Sequence, residues 1–259
     1  MQKVPSEVDC LALMIGNFHL HWAAFQDNQL RQTWHTDHNI VPESLSGLLG
    51  KTPFVLASVV PSQTNDWLTY QPQILTLENI PLKNLYPTLG IDRALAVLGA
   101  GLTYGFPCLV IDGGTALTLT AVDDQRCLFG GAILPGLGLQ LQSLGDRTSA
   151  LPALTLPETL PNRWANNTSD AILSGVIYTM LAGLNDYISD FLDHYPHSSV
   201  LLTGGDGAFL QRGLQTCHLA PRTQPIFDQQ LIFWGMQHCW RSMSLIRPPL
   251  PSENSLENS

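Results

Sequence analysis

Residues 110–122 read VIDGGTALTLTAV, and this stretch decides the fold. Two runs of β-forming residues flank a tight turn from Asp112 to Thr115, which is typical of a β-hairpin. The two glycines allow the backbone to approach an anion, the Thr115 hydroxyl can donate to a phosphate oxygen, and Asp112 can hold a cation. A hairpin turn without any ligand explains the same residues, so the stretch alone leaves both interpretations open.

The same pattern occurs near the N-terminus, where residues 11–23 read LALMIGNFHLHWA. Aligning the two turns pairs Met14 with Asp112, Gly16 with Gly114, and Asn17 with Thr115. Two strand-turn-strand units in one chain predict two similar halves that face a shared nucleotide cleft. A third glycine turn, Gly204-Gly205, also follows an apolar strand, and we expect it to form a second nucleotide contact.

Length and charge limit the classes of partner. The 259 residues suffice for one large domain or two of ordinary size, and the duplication favours two. The net charge is −9 with 12 lysines and arginines and no basic run, so we expect no nucleic-acid or anionic-membrane partner. The N-terminal residues lack the apolar core of a signal peptide, and no window approaches 18 uncharged apolar residues. These features predict a cytoplasmic protein.

Cysteines and histidines give weak metal signals. The five cysteines are far apart and never in Cys-x-x-Cys spacing, which favours reduced thiols in or near the core: Cys10, Cys108, Cys127, Cys217 and Cys239. Two histidine pairs, His19 with His21 and His35 with His38, could each bind a metal. The sequence shows no third ligand for them, so ordinary surface or cleft histidines are favoured.

The remaining chain alternates strands and helices, which indicates α/β architecture with a mixed sheet. Strands are predicted at residues 30–35, 54–60, 74–77 and 128–134. Helices are predicted at 42–49 and 139–144, after the cap signal at 167–170, and at 228–240. The proline-bearing stretch 151–163 is predicted to be an extended loop, and the tail 248–259 to be disordered.

A helix is also predicted after Gly90-Ile91-Asp92-Arg93, since alanine and leucine dominate the following residues. This places Asp92 and Arg93 in its first turn, at the mouth of the cleft. Asp92 could simply cap the helix. Alternatively, the adjacent acid and base could serve a hydroxyl substrate and its phosphate donor.

With these residues considered together, the sequence resembles the type III pantothenate kinases, members of the acetate and sugar kinase, Hsp70 and actin superfamily. Seven motifs in the family's order carry the resemblance: Ile15-Gly16-Asn17, Ser58 to Pro61, Gly90 to Arg93, Asp112 to Ala116, Gly130 to Gly136, Asn167 to Gly175, and Thr203 to Gly205. The resemblance implies an α/β fold of two RNase H-like, actin-like ATPase domains at 1–108 and 109–247. Each would have a mixed five-stranded sheet flanked by helices, with a cleft between the domains.

The resemblance further implies a homodimer that phosphorylates pantothenate with ATP, the first step of coenzyme A synthesis. It makes Asp92 the general base, with Gly90, Ile91, Arg93 and Thr168 as substrate contacts. Nucleotide contacts would come from Ile15, Gly16, Asn17, Gly114 and Thr115. Asp112 would bind a monovalent cation, potassium or ammonium, beside the phosphates, and magnesium would accompany ATP.

The chain departs from the family pattern at four positions. Met14 replaces the first Asp of the first phosphate motif and Phe18 its Thr, while Thr120 stands where a second Asp is usual. A thioether cannot replace a carboxylate as a ligand for magnesium or its waters. Tyr86 lies closer to Asp92 than the family's upstream Tyr does.

Three functional classes therefore remain open from the sequence. The first is an active pantothenate kinase, and the second a regulatory homologue that binds nucleotide or pantothenate without efficient turnover. The third is another phosphotransferase or phosphatase of the superfamily, which the Gly-x-Asp-Arg and Asn-Thr segments disfavour.

Overall fold

The computed structural model describes residues 8–38, 45, 47–147, 151–216 and 224–246, and these residues form two five-stranded sheets. The first sheet contains β1 (Cys10–Ile15), β2 (His19–Gln26), β3 (Gln29–Asp37), β4 (Phe54–Ser58) and β5 (Gln73–Ile74). The second contains β6 (Cys108–Gly113), β7 (Ala116–Val122), β8 (Leu128–Pro135), β9 (Ser199–Thr203) and β10 (Ile226–Phe227).

The helices connect and cover these sheets. They are α1 (Pro61–Thr64), α2 (Ile91–Tyr104), α3 (Leu137–Arg147), α4 (Thr168–His194), α5 (Gly207–Thr216) and α6 (Leu231–Ile246). Two short 3₁₀ helices lie at Asn65–Tyr70 and Leu77–Asn79.

Both sheets have the same topology. The first has the order β3-β2-β1-β4-β5, and the second, written from its other edge, has the order β8-β7-β6-β9-β10. In each, a three-stranded antiparallel meander is extended by two parallel strands. This equivalence confirms the duplication predicted from the two glycine turns, and with it the mixed five-stranded sheets of the RNase H-like fold.

Helices α2 and α6 lie between the sheets and bury a central cluster. This cluster includes Ala12 and Met14 of β1, Val110 of β6, Leu95 of α2 and Met236 of α6. Side chains alternate between the faces of a strand, so neighbouring strand residues leave the cluster on the other side. Each sheet therefore shares the central cluster on one face and buries a separate cluster on the other.

The outer clusters complete the layers. Ile111 of β6 packs with Ile177 of α4 and Leu210 of α5 on the outer face of the second sheet. On the outer face of the first sheet, Leu13 of β1 is buried with Trp22 and Trp67.

Two glycines bring α2 and α6 into backbone contact. A Cβ on Gly99 of α2 would overlap the Leu231 carbonyl oxygen of α6. A Cβ on Gly235 of α6 would overlap the Leu95 carbonyl oxygen of α2. The crossing therefore requires glycine from both helices, and it fixes the last helix of the chain against the helix that follows the first sheet.

The structure refines several predicted boundaries. The strand predicted at 74–77 is shorter, since β5 ends at Ile74 and Leu77 begins a 3₁₀ helix. The last helix begins at Leu231 rather than Asp228, because the Asp228 carboxylate accepts hydrogen bonds from the Gln230 amide at 2.7 Å and from the Tyr104 hydroxyl at 2.9 Å. Asp228 thus precedes the first helical residue, and these hydrogen bonds hold its carboxylate in place.

The other local predictions have different outcomes. The helix expected at 139–144 spans Leu137–Arg147, the segment 151–163 is irregular as expected, and the cap signal begins α4. Half of the residues in the helix predicted at 42–49 lie outside the described residues, as do Cys217 and the whole tail 248–259. The four described cysteines are free thiols, and Cys10, Cys108 and Cys239 are buried.

Helix α4 is long and apolar enough to span a membrane by length and composition, with a mean hydropathy of 1.3 over its most apolar window. The sequence analysis did not anticipate such a window. Ile177, Leu181, Leu184 and Ile188 of this helix are buried in the outer cluster of the second sheet. Its hydropathy is thus explained in part by its packing within the fold.

Replacing Gly99 with Ala should destabilise the protein by about 2 kcal/mol, because the added methyl group must push the two helix backbones apart. At this chain length the melting temperature should fall by about 5 °C. Chemical denaturation and calorimetry would measure both changes.

Gly183→Ala is the matched control, since Gly183 is also inside a helix but nothing lies within 4 Å of an added Cβ. It should leave stability unchanged or raise it by up to about 1 kcal/mol. Equal effects of the two substitutions would show that the crossing tolerates a wider separation.

Candidate active site

Glycine segments from three parts of the chain meet at the end of β6. A Cβ on Gly204 would overlap the Asp112 carboxylate, and this glycine has a left-handed φ of 81°. The Asp206 amide donates to the Gly113 carbonyl at 2.8 Å, and the Gly136 amide donates to the Thr115 carbonyl at 2.8 Å. The third glycine turn and the loop after β8 therefore pack directly on the Asp112 turn.

Asp112 points to the face of the second sheet that carries the central cluster, because Val110, two residues earlier, belongs to that cluster. Burial, and to a smaller extent the nearby Asp92 carboxylate, together raise the pKa of the Asp112 carboxyl to about 6. Asp92 and Asp112, predicted as base and cation ligand, are thus brought together. Two acids at close range favour either a shared proton or a bound cation.

Asp92 lies in the first turn of α2, as predicted, but it does not cap the helix. Gly90 occupies the cap position, and a Cβ there would overlap the Asp92 carboxylate. Asp92 Oδ1 accepts a hydrogen bond from the Arg93 amide at 2.8 Å. Burial raises the pKa of Asp92, an effect that this amide and the Arg93 charge partly offset. The glycine of the Gly-x-Asp-Arg motif therefore makes room for an oriented, desolvated carboxylate.

Arg93 is buried, and its guanidinium is bound to the protein. Nε donates to Thr120 Oγ1 at 2.9 Å, Nη2 to the Leu119 carbonyl at 2.8 Å, and Nη1 to the Tyr86 hydroxyl at 3.0 Å. The bonds to Thr120 and Leu119 join the start of α2 to β7 of the second sheet, and the bond to Tyr86 joins it to the segment before the helix. Arg93 was predicted to line the substrate pocket, and its burial does not favour a direct contact with substrate.

The first glycine turn has a different chemistry from the second. Met14 is 2% exposed in the central cluster, and no carboxylate occurs between it and Phe18, which is 61% exposed. The Ile15 side chain is buried on the outer face of the sheet, so only its backbone could contact a nucleotide. The Gly16 amide donates to the His19 carbonyl at 3.1 Å, which closes the turn and leaves Asn17 exposed at its tip.

Thr168 is exposed at the first position of α4. The helix is capped by Asn167, whose Oδ1 accepts from the Asp170 amide at 3.0 Å and whose Nδ2 donates to the Asp170 carboxylate at 2.7 Å. In the described part of the chain, none of the hydrogen bonds or ion pairs connects Thr168 to Asp92 or Asp112. The role of Thr168 as a substrate contact stays a prediction.

The donors around Asp112 fit a monovalent cation better than magnesium. One partly buried carboxylate is surrounded by backbone at Gly113 and Gly204, which suits a large cation that accepts carbonyl ligands. Met14 offers no oxygen for magnesium in the first turn. Within residues 8–38, 45, 47–147, 151–216 and 224–246, no group of three or more His, Cys, Asp or Glu side chains could hold a metal ion.

Comparison with known proteins identifies the family. The sequence profile described as type III pantothenate kinase matches residues 10–190. The chain belongs to the type III pantothenate kinase family. A type III pantothenate kinase of Synechocystis sp. is 55% identical over 228 residues, which covers 87% of this chain and 88% of that protein. One from Nostoc sp. is 45% identical over 257 residues, covering 88% and 92%.

Solved structures of low sequence identity share the fold. A Baf family protein from Campylobacter jejuni, described as a transcriptional activator, has a TM-score of 0.62 at 21% identity and covers 91% of this chain and 100% of that one. MreB 5 of Spiroplasma citri, solved with AMPPNP bound, has a TM-score of 0.51 at 10% identity, covering 93% and 98%. The actin-like ATPase fold inferred from the resemblance is confirmed.

Within this type III pantothenate kinase, sequence reasoning missed the partners of Arg93. Thr120 and Tyr86 were noted only as departures from the family pattern, yet both bind its guanidinium. Thr120 pairs in register with Val110 on the central face of the second sheet. The strand alternation of β7 was the available signal, because it places Thr120 among buried residues, where a hydroxyl needs a partner.

The raised pKa of Asp112 predicts a pH-dependent stability in the absence of a bound cation. The folded protein holds this proton more tightly than the unfolded chain, whose carboxyl has a pKa near 3.8. The associated stability is present below pH 3.8 and is lost as the pH rises through about 6. Asp112→Asn should therefore exceed wild type in stability at pH 8 by up to about 3 kcal/mol, with a smaller gain at pH 4.5.

Urea denaturation with tetramethylammonium as the only added cation would measure these differences. Asp124→Asn, at an exposed carboxylate in the turn after β7, is the control and should show no such trend. A gain for Asp112→Asn that is equal at both pH values would contradict the assignment of the shift to this carboxyl.

Proposed function

We propose that the protein transfers the terminal phosphoryl group of ATP to pantothenate and forms 4'-phosphopantothenate, the first step of coenzyme A synthesis. Family membership supports the reaction. The location of the active site is supported by the proximity of the Asp92 and Asp112 carboxylates between the two sheets. One carboxylate is placed to accept a proton, and the other lies in the glycine turn suited to the phosphates.

The nucleotide is assigned to the space between the turns that follow β1 and β6. MreB 5, which has this fold, was solved with an ATP analogue. In the chain, the exposed Thr115 and the adjacent Gly114 offer a hydroxyl and an unhindered backbone. At the first turn, Gly16 and Asn17 offer the equivalent positions. Magnesium is assigned as the counterion of ATP, and it enters with that substrate.

Asp92 is the proposed general base. Its carboxylate takes the proton from the pantothenate hydroxyl while the hydroxyl oxygen bonds to the terminal phosphorus and the bond to the ADP oxygen breaks. The raised pKa suits this step, because a base is most effective when its pKa approaches the working pH. Gly90 and the Arg93 amide hold the carboxylate in one orientation.

Asp112 is the proposed ligand of a potassium or ammonium ion. A bound monovalent cation would supply positive charge beside the phosphates. The carboxylate of Asp112 holds the ion and is held in turn by the packing of Gly204 against it. The cation also offsets the repulsion between Asp92 and Asp112, which keeps Asp92 able to accept a proton.

We further propose a cytoplasmic homodimer with domains at 1–108 and 109–247. The strands of the first sheet end at Ile74 and those of the second begin at Cys108, which supports this division. Exposed apolar side chains support self-association, notably Ile133 of β8 at 65% exposure and Trp164 before α4 at 91%. Thr168 lies four residues from Trp164, so its predicted substrate contact would be close to such an interface.

Asp92→Asn should lower kcat for pantothenate phosphorylation by about 10²- to 10⁴-fold, because an amide cannot accept the hydroxyl proton. The melting temperature should not fall, since the cap of α2 is provided by Gly90 and the raised pKa of Asp92 shows that burial disfavours its charge. Asp66→Asn, at an exposed carboxylate outside the cleft, should keep full activity.

The assay contains ATP, magnesium, potassium and pantothenate, with ADP release as the readout. Near wild-type turnover of Asp92→Asn would place the base elsewhere. A wild-type protein that binds nucleotide but shows no turnover would favour the regulatory homologue.

If Asp112 binds potassium or ammonium beside the phosphates, activity should depend on one of these ions. Asp112→Ala should remove that dependence and raise the KM for ATP by about tenfold or more. Initial rates across cation series at fixed ionic strength would measure this. Equal wild-type rates in sodium and potassium would remove the support for a cation at Asp112.

A further inference from the structure

The three strands around the first turn align a row of side chains on one face. Met14 of β1 pairs directly with His21 of β2, and His21 pairs with His35 of β3. Paired residues of neighbouring strands project to the same side of a sheet. Met14 belongs to the central cluster, so the two imidazoles lie on the side of the sheet that faces the second sheet.

His19 joins this histidine row, since it precedes His21 by two residues on the same strand. The ring centroid of His19 lies 6.3 Å from that of His21 and 5.6 Å from that of His35. All three side chains are exposed at this edge of the cleft. The His21 ring also lies against the turn itself, because its Nε2 would be 3.5 Å from a Cβ on Gly16.

The duplication of the fold gives this row a counterpart in the second sheet. Asp112 pairs with Thr118 there, as Met14 pairs with His21 in the first sheet. One half of the cleft thus presents a carboxylate and a hydroxyl beside its glycine turn. The other half presents a thioether and imidazoles. The half with the carboxylate therefore suits a cation that accompanies the ligand. The half with the imidazoles suits an anionic group of the ligand itself.

The imidazoles of the row can bind an anion through hydrogen bonds rather than through positive charge. Partial desolvation by the surrounding protein lowers the pKa of His21, and the neighbouring His19, His35 and His38 lower it further. The carboxylate of Asp37 lies beside the row, with its Oδ1 3.9 Å from His19 Nε2. A neutral imidazole can still donate one ring N–H to a phosphate oxygen.

We propose that His21, with its ring positioned by His19 and His35, binds a phosphate group of the nucleotide at the Gly16 turn. This proposal rests on the function proposed above. In this proposal the His21 imidazole donates directly to the phosphate. A carboxylate at position 14 would instead bind the phosphate through magnesium, but Met14 has no atom suited to that role. The proposal also accounts for the loss of the carboxylate, since an acid at position 14 would lie directly opposite His21 and compete with phosphate for its N–H.

His21→Ala and His21→Gln test the proposal, with His197→Ala as the control at an exposed histidine before β9. For each variant, steady-state kinetics would give kcat and KM for ATP and pantothenate. Calorimetry would give the affinities for AMPPNP and for adenosine, which has no phosphate. Because hydrogen bonds to charged groups are the stronger class, His21→Ala should weaken AMPPNP binding and raise the KM for ATP by about 10- to 100-fold.

Adenosine affinity and the KM for pantothenate should stay within about twofold of wild type in His21→Ala. His21→Gln should recover part of the loss, because its amide is also a donor. His197→Ala should match wild type throughout. Equal weakening of AMPPNP and adenosine, or a lowered melting temperature, would assign His21 a structural role and overturn the proposal.

The outcomes of these experiments distinguish a failure of the His21 proposal from a failure of the proposed function. If wild type phosphorylates pantothenate while His21→Ala keeps wild-type affinity for AMPPNP, the histidine contact is wrong and the reaction stands. If wild type does not phosphorylate pantothenate but His21→Ala still loses AMPPNP affinity selectively over adenosine, the phosphate contact stands and the reaction is wrong.

Discussion

The geometry of the candidate active site depends on one buried guanidinium, that of Arg93. Two of its hydrogen bonds connect the start of α2 to β7 of the second sheet, and a third binds Tyr86 in the segment before the helix. Asp92 precedes it and uses its backbone amide. The proposed base Asp92 and the anchoring Arg93 are therefore consecutive residues, and the position of the Asp92 carboxylate relative to Asp112 follows from the bonds that Arg93 makes with the fold.

The extent to which the sequence predicts this structure follows from the range of the interactions involved. Strand-turn-strand units and the Asn167 cap are encoded within a few residues, and both were predicted correctly. The contacts of Arg93 span 26 and 27 residues to Leu119 and Thr120, and no local pattern reveals them. The start of α6 was misplaced for the same reason, because Asp228 bonds to Tyr104, 124 residues earlier.

The site combines acidic groups with a ligand that is itself strongly anionic. The chain carries −9 overall, and Arg93 is engaged with protein acceptors. The second sheet meets this constraint with a carboxylate that can hold a cation, whereas the first sheet brings imidazoles to its turn. The histidines of this row are visible in the sequence. Their alignment beside Met14 is not, because it depends on the register among β1, β2 and β3.

The glycine crossing of α2 and α6 makes the two halves of the chain inseparable as folded pieces. Helix α6 comes from the end of the chain, yet it covers α2, which follows the first sheet. A protein shortened before Leu231 would leave Leu95 and Gly99 uncovered and open the central cluster to water. During synthesis, the first half therefore completes its core only after Leu231–Ile246 has left the ribosome, although its own strands are made first.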